Sequence, residues 1–298
     1  MNLRPSAGVA DFVRMQALAS ASFGRGFWHA GDLAWWVRFQ THLEASALTT
    51  LAEDSRGTLL GWMRLHSNGW FAAVAANPDD AEVLSALVQA AIDTAARLVA
   101  YGDPPAEGRI YCECEDDESV FAAVLQQHGF SDSSGSDGFG EFTRRSLDDL
   151  PAPVLPDGFR FSGVDDSLLA ERIECHRAAF APSALEIVGF RRVRRTWPYR
   201  DDLDRVVIAP DGRVAASCLA WYDDGNGWGL LEPVGTRPEF RRRGLASAVC
   251  LDALHHLKAA GAHSSQVGCE SGSAGCATYH SIGFETVHRT HAFARAVA

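Results

Sequence analysis

The sequence has little or none of what marks several large protein classes. Only one of its 27 basic residues, Lys258, is a lysine, a usage that fits the codon bias of a GC-rich genome. Its seven cysteines include no C-x-x-C pair. The one close spacing, Cys112-x-Cys114, puts two side chains on the same face of a strand, which reads as packing and not as a thiolate metal site. An odd cysteine count without a framework points to reduced thiols and a cytoplasmic setting. No run approaches the roughly 18 apolar residues of a membrane span, and the N-terminus has no charged, apolar and small-residue pattern of a secretory leader. No G-x-x-x-x-G-K loop is present, so a Walker-type nucleotide site is not expected. A basic excess is also missing: 27 basic against 38 acidic residues give a net charge of −11. Residues 1–150 hold 10 basic and 21 acidic residues and the remainder 17 of each. Nucleic acid is therefore a poor partner for this chain.

What the sequence does have is enough apolar content to fold. Its 298 residues are 47% hydrophobic with a mean hydropathy of −0.08, which excludes bulk disorder, and the length suits two domains. The best linker is Ser146 to Gly158, which carries three prolines without apolar periodicity. The order of elements on its two sides is alike. The first half reads as a short strand near Leu3, helices over about 8–22 and 32–45, strands over 48–53, 58–66 and 70–75, a long helix over 79–99, a strand over 109–113, a helix over 117–128 and a strand near 138–145. The second half reads as a strand from Phe159, helices over 166–180 and 184–194, strands over 203–209, 213–222 and 229–236, a long helix over 245–260, a strand over 265–269, a helix over 274–281 and a strand over 284–294. Two segments align closely: Asn77-Pro78-Asp79 with Arg237-Pro238-Glu239, and Gly129-Phe130 with Gly283-Phe284. The expectation is an α+β chain, with domains over 1–150 and 151–298, each a mostly antiparallel mixed sheet flanked by helices.

Chemistry concentrates in Leu231 to Ala246, a strand, a short basic loop and the start of a helix. Free N–H groups at a helix N-terminus carry partial positive charge, and glycine lets a ligand approach the backbone. Arg241, Arg242 and Arg243 add attraction for phosphate; cations at the positive end of a helix are otherwise misplaced. The arrangement suits a pyrophosphate. Arg241-x-x-Gly244-x-Ala246, together with Tyr279-x-x-x-Gly283-Phe284, resembles the signature of the GCN5-related N-acetyltransferase (GNAT) family over about residues 159–294. The resemblance implies two tandem GNAT-like domains and an acyltransferase of class EC 2.3.1. It also implies acetyl-CoA as co-substrate, no metal, a cofactor cradle of Val234, Gly235, Thr236, Arg241, Arg242, Arg243, Gly244, Leu245, Ala246 and Ser247, and Tyr279 as general acid. Gly272 stands where the family often has Asn, with Ser271 and Ser273 beside it. In the first half the loop is replaced by Asp79-Asp80-Ala81-Glu82-Val83-Leu84 and the tyrosine by Leu125. Carboxylates repel a phosphate, so that half reads as a degenerate copy without cofactor.

Acetyl transfer to a primary amine, whose ammonium has a pKa of about 10.4, requires a base. Glu232 is the candidate, because a carboxylate in a sheet is costly unless it is used or paired; a structural salt bridge is the alternative reading. Tyr279 has a packed aromatic as its alternative. Val234 or a neighbour offers the N–H for the oxyanion. The early loops with Phe180, Ser183, Trp197 and Tyr199, and the aromatics Trp221, Tyr222 and Trp228, are candidates for the acceptor groove. Arg191, Arg192, Arg194 and Arg195 form a second basic cluster, read either as an anion site or as a solvated helix face. His255 and His256 read as surface residues. The expected partner is an amine on a small molecule or peptide, with no nucleic acid or membrane, for a monomer or homodimer. Alternatives are a mycothiol synthase-like acetylation of a thiol-sugar precursor and a non-catalytic acyl-CoA-binding module.

Overall fold

The structure, a computed structural model, describes all residues except 23–27, 37–46, 67–69, 104, 106, 138 and 298. The apolar patterning of the sequence is carried through element by element. The strand Arg109–Glu115 turns Ile110, Cys112 and Cys114 inward, all at most 2% exposed, so the cysteine pair is packing, as its spacing predicts. The strand Val214–Asp223 is buried at nine of its ten positions, the mark of a central strand covered on both faces. The fold is mixed α/β, with helices on the sheets.

Contacts divide the chain into two compact units. The first holds Met1–Trp28, Gln40–Glu141 and His288–Ala298. Its antiparallel ladder runs through Asn2–Pro5, Thr49–Glu53, Leu59–His66 and Phe71–Ala76, and the last of these lies parallel to Arg109–Glu115. The long helix Ala81–Ala100 buries Val83, Leu84, Leu87, Val88 and Ala91 in one cluster with Met63, Leu65, Ala72 and Val74. Among the described residues it is the one helix long and apolar enough to cross a membrane, and 39% of that window is buried inside the protein; here it serves as a core helix.

The second unit holds His29–Phe39 and Phe142–Val287. Arg160–Gly163, Asp204–Ile208, Val214–Asp223 and Trp228–Thr236 form an antiparallel ladder, and Trp228–Thr236 continues in parallel to Ser264–Glu270. Helix Leu245–Ala260 packs Val249, Cys250, Ala253, Leu254 and Leu257 against Ala216, Cys218 and Leu231. Helix Leu169–Ala179 contributes Leu169 and Ile173 to a separate cluster with Trp221 and Leu230.

The units are therefore not the two halves of a chain cut at residue 150. The final strand Glu285–Ala296 pairs with Arg109–Glu115 of the first unit, from Thr290↔Glu115 to Ala296↔Arg109. The strand Phe139–Ser146 instead lies beside Ser264–Glu270, where Thr143 Oγ1 donates to the Val267 carbonyl at 3.0 Å. Each unit takes its last strand from the other half of the sequence. A short helix, Ala30–Trp36, also belongs to the second unit by its contacts; the rest of the helix expected over 32–45 lies outside the described residues.

Candidate active site

The strand Trp228–Thr236 shapes the site in two ways. Against its antiparallel neighbour, Ala220 faces Leu231 and Cys218 faces Val234, so Glu232 and Pro233 together oppose Leu219. This is a bulge, which bends a strand and re-aims its side chains. On the other edge, registered pairs to Ser264–Glu270 run only from Trp228↔Ser264 to Leu230↔Gln266. Beyond them the two strands run on without a registered pair among the described residues. Glu232, Val234 and Thr236 follow that point, all half-buried. Gly235 is required by close approach: a Cβ there would lie 2.9 Å from Ala179 Cβ and 2.8 Å from Phe180 Cε2. The Thr236 Oγ1 is buried without a hydrogen-bond partner, an orphan that a ligand in the parted strands would satisfy.

The loop after this strand leads through a short 3-10 turn, Pro238–Phe240, into helix Leu245–Ala260. Gly244 occupies the N-cap at φ 74° and ψ 4°, and no side chain caps the helix. The first-turn N–H groups, on Leu245, Ala246 and Ser247, thus have no intrahelical acceptor. Arg242 also sits at positive φ, 60°, so the loop curls its backbone around the cap. The three arginines differ. Arg241 donates to the Thr236 carbonyl at 3.2 Å and the Ala179 carbonyl at 3.1 Å, fastening the strand end to the end of helix Leu169–Ala179. Arg243 lies 5.7 Å over the Phe240 ring. Arg242 is exposed.

The corresponding helix of the first unit is built differently. Its N-cap is Asp80, whose carboxylate accepts from the Val83 N–H at 3.1 Å, with Glu82 in the first turn. One of the first-turn donors that a phosphate would need is occupied by a carboxylate. Leu84 and Leu125 are buried in the core at 2% and 0% exposure.

Tyr279 stands on helix Ala274–Ser281, 8% exposed and 6.1 Å from the Phe284 ring. Burial pushes its phenol well up, with Cys250, Cys218 and then Glu232 adding to the shift. Ser273 is engaged as N-cap of that helix, accepting from the Cys276 N–H at 3.1 Å, so it does not stand free in place of an asparagine. Cys269 and Cys276 are joined in a disulfide with Cα atoms 5.3 Å apart, which corrects the expectation of reduced thiols throughout; the other five cysteines are free and buried.

Of the acceptor candidates, Trp221 and Trp228 are fully buried and belong to the core. Trp221 nevertheless touches the site, because its Nε1–H donates to the Glu232 carbonyl at 2.6 Å. Phe180 and Trp197 are 41% and 47% exposed. Arg194 of the second basic cluster is paired with Asp166 and Asp201, while Arg191 and Arg192 are exposed. His255 lies 3.0 Å from the Pro151 carbonyl. Spacing gave no sign of two features: the fully buried ion pair Arg172–Asp204, at 3.0 Å, and Asp32 of helix Ala30–Trp36, which hydrogen-bonds the Glu232 side chain.

Residues 167–284 match the model of the acetyltransferase (GNAT) family. Over this segment the chain is similar to the GNAT family. The fold is shared with solved GNAT structures along nearly the whole chain. A GCN5-related N-acetyltransferase from Sphaerobacter thermophilus is similar at a TM-score of 0.68 and 16% identity, over 99% of this chain and 95% of that one. A tandem GNAT protein from the clavulanic acid biosynthesis pathway is similar at a TM-score of 0.68 and 15% identity, over 100% of this chain and 98% of that one. An acetyltransferase of the GNAT family from Colwellia psychrerythraea is similar at 0.61 and 12%, over 99% of each chain. At such identities the likeness is one of fold. A search of curated protein sequences finds no match. A GNAT fold is suited to acyl transfer in general.

Proposed function

We propose that the protein is a tandem N-acetyltransferase that moves an acetyl group from acetyl-CoA to a primary amine of a small molecule or peptide by direct attack. Its one working site would lie in the second unit, which holds the GNAT segment of residues 167–284. The observation that carries this reading is the contrast between two equivalent helix starts. At Gly244 the N–H groups are left uncapped beside three arginines, whereas at Asp80 a carboxylate caps them. Anions are favoured at the first and repelled at the second.

Acetyl-CoA, as co-substrate, would supply the thioester. Val234, Gly235 and Thr236 would line its arm, with the orphaned Thr236 hydroxyl as one partner. The first-turn amides from Gly244 to Ser247 would hold its pyrophosphate, assisted by Arg242 and Arg243, with Arg241 shaping the loop through its two carbonyl bonds. Glu232 would take the proton of the acceptor ammonium so that the neutral amine can attack. The Val234 N–H would face the oxyanion. Tyr279, kept protonated by burial, would give its proton to the leaving sulfur.

Substituting Glu232→Gln tests this. General-base loss lowers kcat by roughly 10²–10⁴-fold, with acetyl-CoA affinity by calorimetry unchanged. Turnover at the wild-type rate over a library of amine acceptors, followed by release of free thiol, would remove Glu232 from the mechanism. Acetyl-CoA binding without turnover on any acceptor would favour a binding module.

A further inference from the structure

The helix Ala30–Trp36 is held on the site with more care than a surface helix needs. At Gly31 a Cβ would lie 2.3 Å from Trp221 Cγ, so the helix backbone rests directly on that indole. The same indole donates to the Glu232 carbonyl at 2.6 Å. The turn that starts the helix is closed on itself: Asp32 Oδ2 accepts from the His29 N–H at 2.7 Å, the Asp32 N–H donates to the His29 carbonyl at 3.0 Å, and the Gly31 N–H donates to His29 Nδ1 at 2.9 Å. With Nδ1 accepting, the imidazole proton is on Nε2, which lies 3.4 Å from the Trp228 carbonyl. His29 is 1% exposed. The turn is therefore anchored on the strand that carries Glu232, and it delivers the Asp32 carboxyl into a hydrogen bond with the Glu232 side chain.

Two carboxyl groups in hydrogen-bond contact need a proton between them, because both cannot ionise at that distance. Asp32 is the one that keeps it: burial first, and the Glu232 neighbour second, push its carboxyl well above the ordinary carboxylate range. A neutral Asp32 is a donor, and it leaves one oxygen of Glu232 occupied and the other open.

We propose that Asp32, a residue far from the GNAT segment in sequence, is the positioning residue of the base: its carboxyl hydrogen-bonds one oxygen of Glu232 and so fixes the other for the acceptor's ammonium. This rests on the reading of Glu232 as base. Glu232 takes one proton from the ammonium and returns it to water; the Asp32 proton stays where it is through the cycle.

The test uses the full chain with Asp32→Asn, Asp32→Ala and Glu232→Gln, and reads kcat, the KM for acetyl-CoA and coenzyme A affinity by calorimetry. Asn has the shape of the neutral carboxyl and donates through Nδ2, so D32N keeps kcat within about threefold of wild type. D32A frees the base, and misplacement by about 1 Å lowers kcat by about a hundred-fold, with KM for acetyl-CoA and coenzyme A affinity unchanged. If D32A does not fold, Asp32→Leu fills the space without a donor and takes its place. A merely structural Asp32 would move affinity and melting temperature together with kcat. The proposal is overturned if D32N falls as far as D32A, or if D32A turns over like wild type. Loss in E232Q with full activity in D32A sinks this inference alone, whereas full activity in E232Q sinks the base assignment itself.

Discussion

Substituting Gly244→Asp would write the first unit's helix start into the second. The added Cβ meets nothing within 4 Å, so no neighbour has to move, and the penalty in the fold is that of a side chain at φ 74°, about 1 kcal/mol and least for Asp and Asn. The effect on the ligand is larger. A carboxylate capping the helix takes the N–H donors, as Asp80 does from Val83. It also stands about 5 Å from a diphosphate of about two negative charges, a repulsion of about 1.7 kcal/mol even at the dielectric of water. That alone weakens acetyl-CoA about twenty-fold, and the lost amide bonds add to it. Titration calorimetry with coenzyme A measures the change, with a melting curve to confirm the fold. Because the repulsion is between exposed charges, about 1 M salt recovers part of the affinity. Acetyl-pantetheine, which has no diphosphate, serves as control and keeps its KM. Coenzyme A affinity within threefold of wild type in G244D would refute the assignment of the pyrophosphate to this helix start.

Two further outcomes follow from buried groups. Tyr279→Phe removes the proton for the leaving sulfur and lowers kcat about a hundred-fold without changing acetyl-CoA affinity; equal turnover would leave Tyr279 as packing against Phe284. Burial holds the His29 imidazole down to about 4, against about 6.5 in an unfolded chain. Between those values the unfolded chain binds a proton that the folded one refuses, so this contribution is complete above about pH 6.5 and is lost as the pH falls towards 4, about 3 kcal/mol over the whole span. Urea unfolding of wild type and His29→Gln at pH 7, 5.5 and 4 isolates it. Parallel pH dependence in the two proteins would contradict the burial argument.

The sequence showed the local features well and the distant ones poorly. Strands such as Val214–Asp223 and helices such as Leu245–Ala260 end within a residue or two of the expected bounds, because caps, turns and periodicity are local. The helix start at Gly244 was legible for the same reason. The exchange of last strands was not: Phe139–Ser146 and Glu285–Ala296 read as strands, but which strand each would join depends on pairing that no short segment encodes. Asp32 was missed because its partner lies in the other half of the chain. The Cys269–Cys276 bridge was missed because the spacing alone does not reveal that the turn after Ser264–Glu270 folds the next helix back, bringing the two Cα atoms to 5.3 Å. The arginine run presents three like charges in sequence, yet Arg241 is drawn to two nearby carbonyls.

These distant features tie the front half of the chain to the second unit. By contacts, the unit that contains the GNAT segment also contains helix Ala30–Trp36 and the chain from Phe142. Trp35 is 2% exposed and packs edge-on to Phe190 at 6.1 Å and His176 at 5.4 Å. Losing a buried tryptophan costs about 3–5 kcal/mol, a large part of the 5–15 kcal/mol that stabilises a domain. A chain cut to residues 151–298 also loses Thr143 from its place at Val267, leaving Ser264–Glu270 with an open edge, and keeps a final strand whose partner, Arg109–Glu115, is gone. The expected outcome is that residues 151–298, although they hold the segment that matches the family model, give no cooperative melt and no acetyl-CoA turnover. Supplying residues 1–150 as a separate chain in the same cell should restore both, since every missing strand and helix returns with it. Wild-type turnover from residues 151–298 alone would show that the front half is dispensable and that Asp32 does nothing for the base.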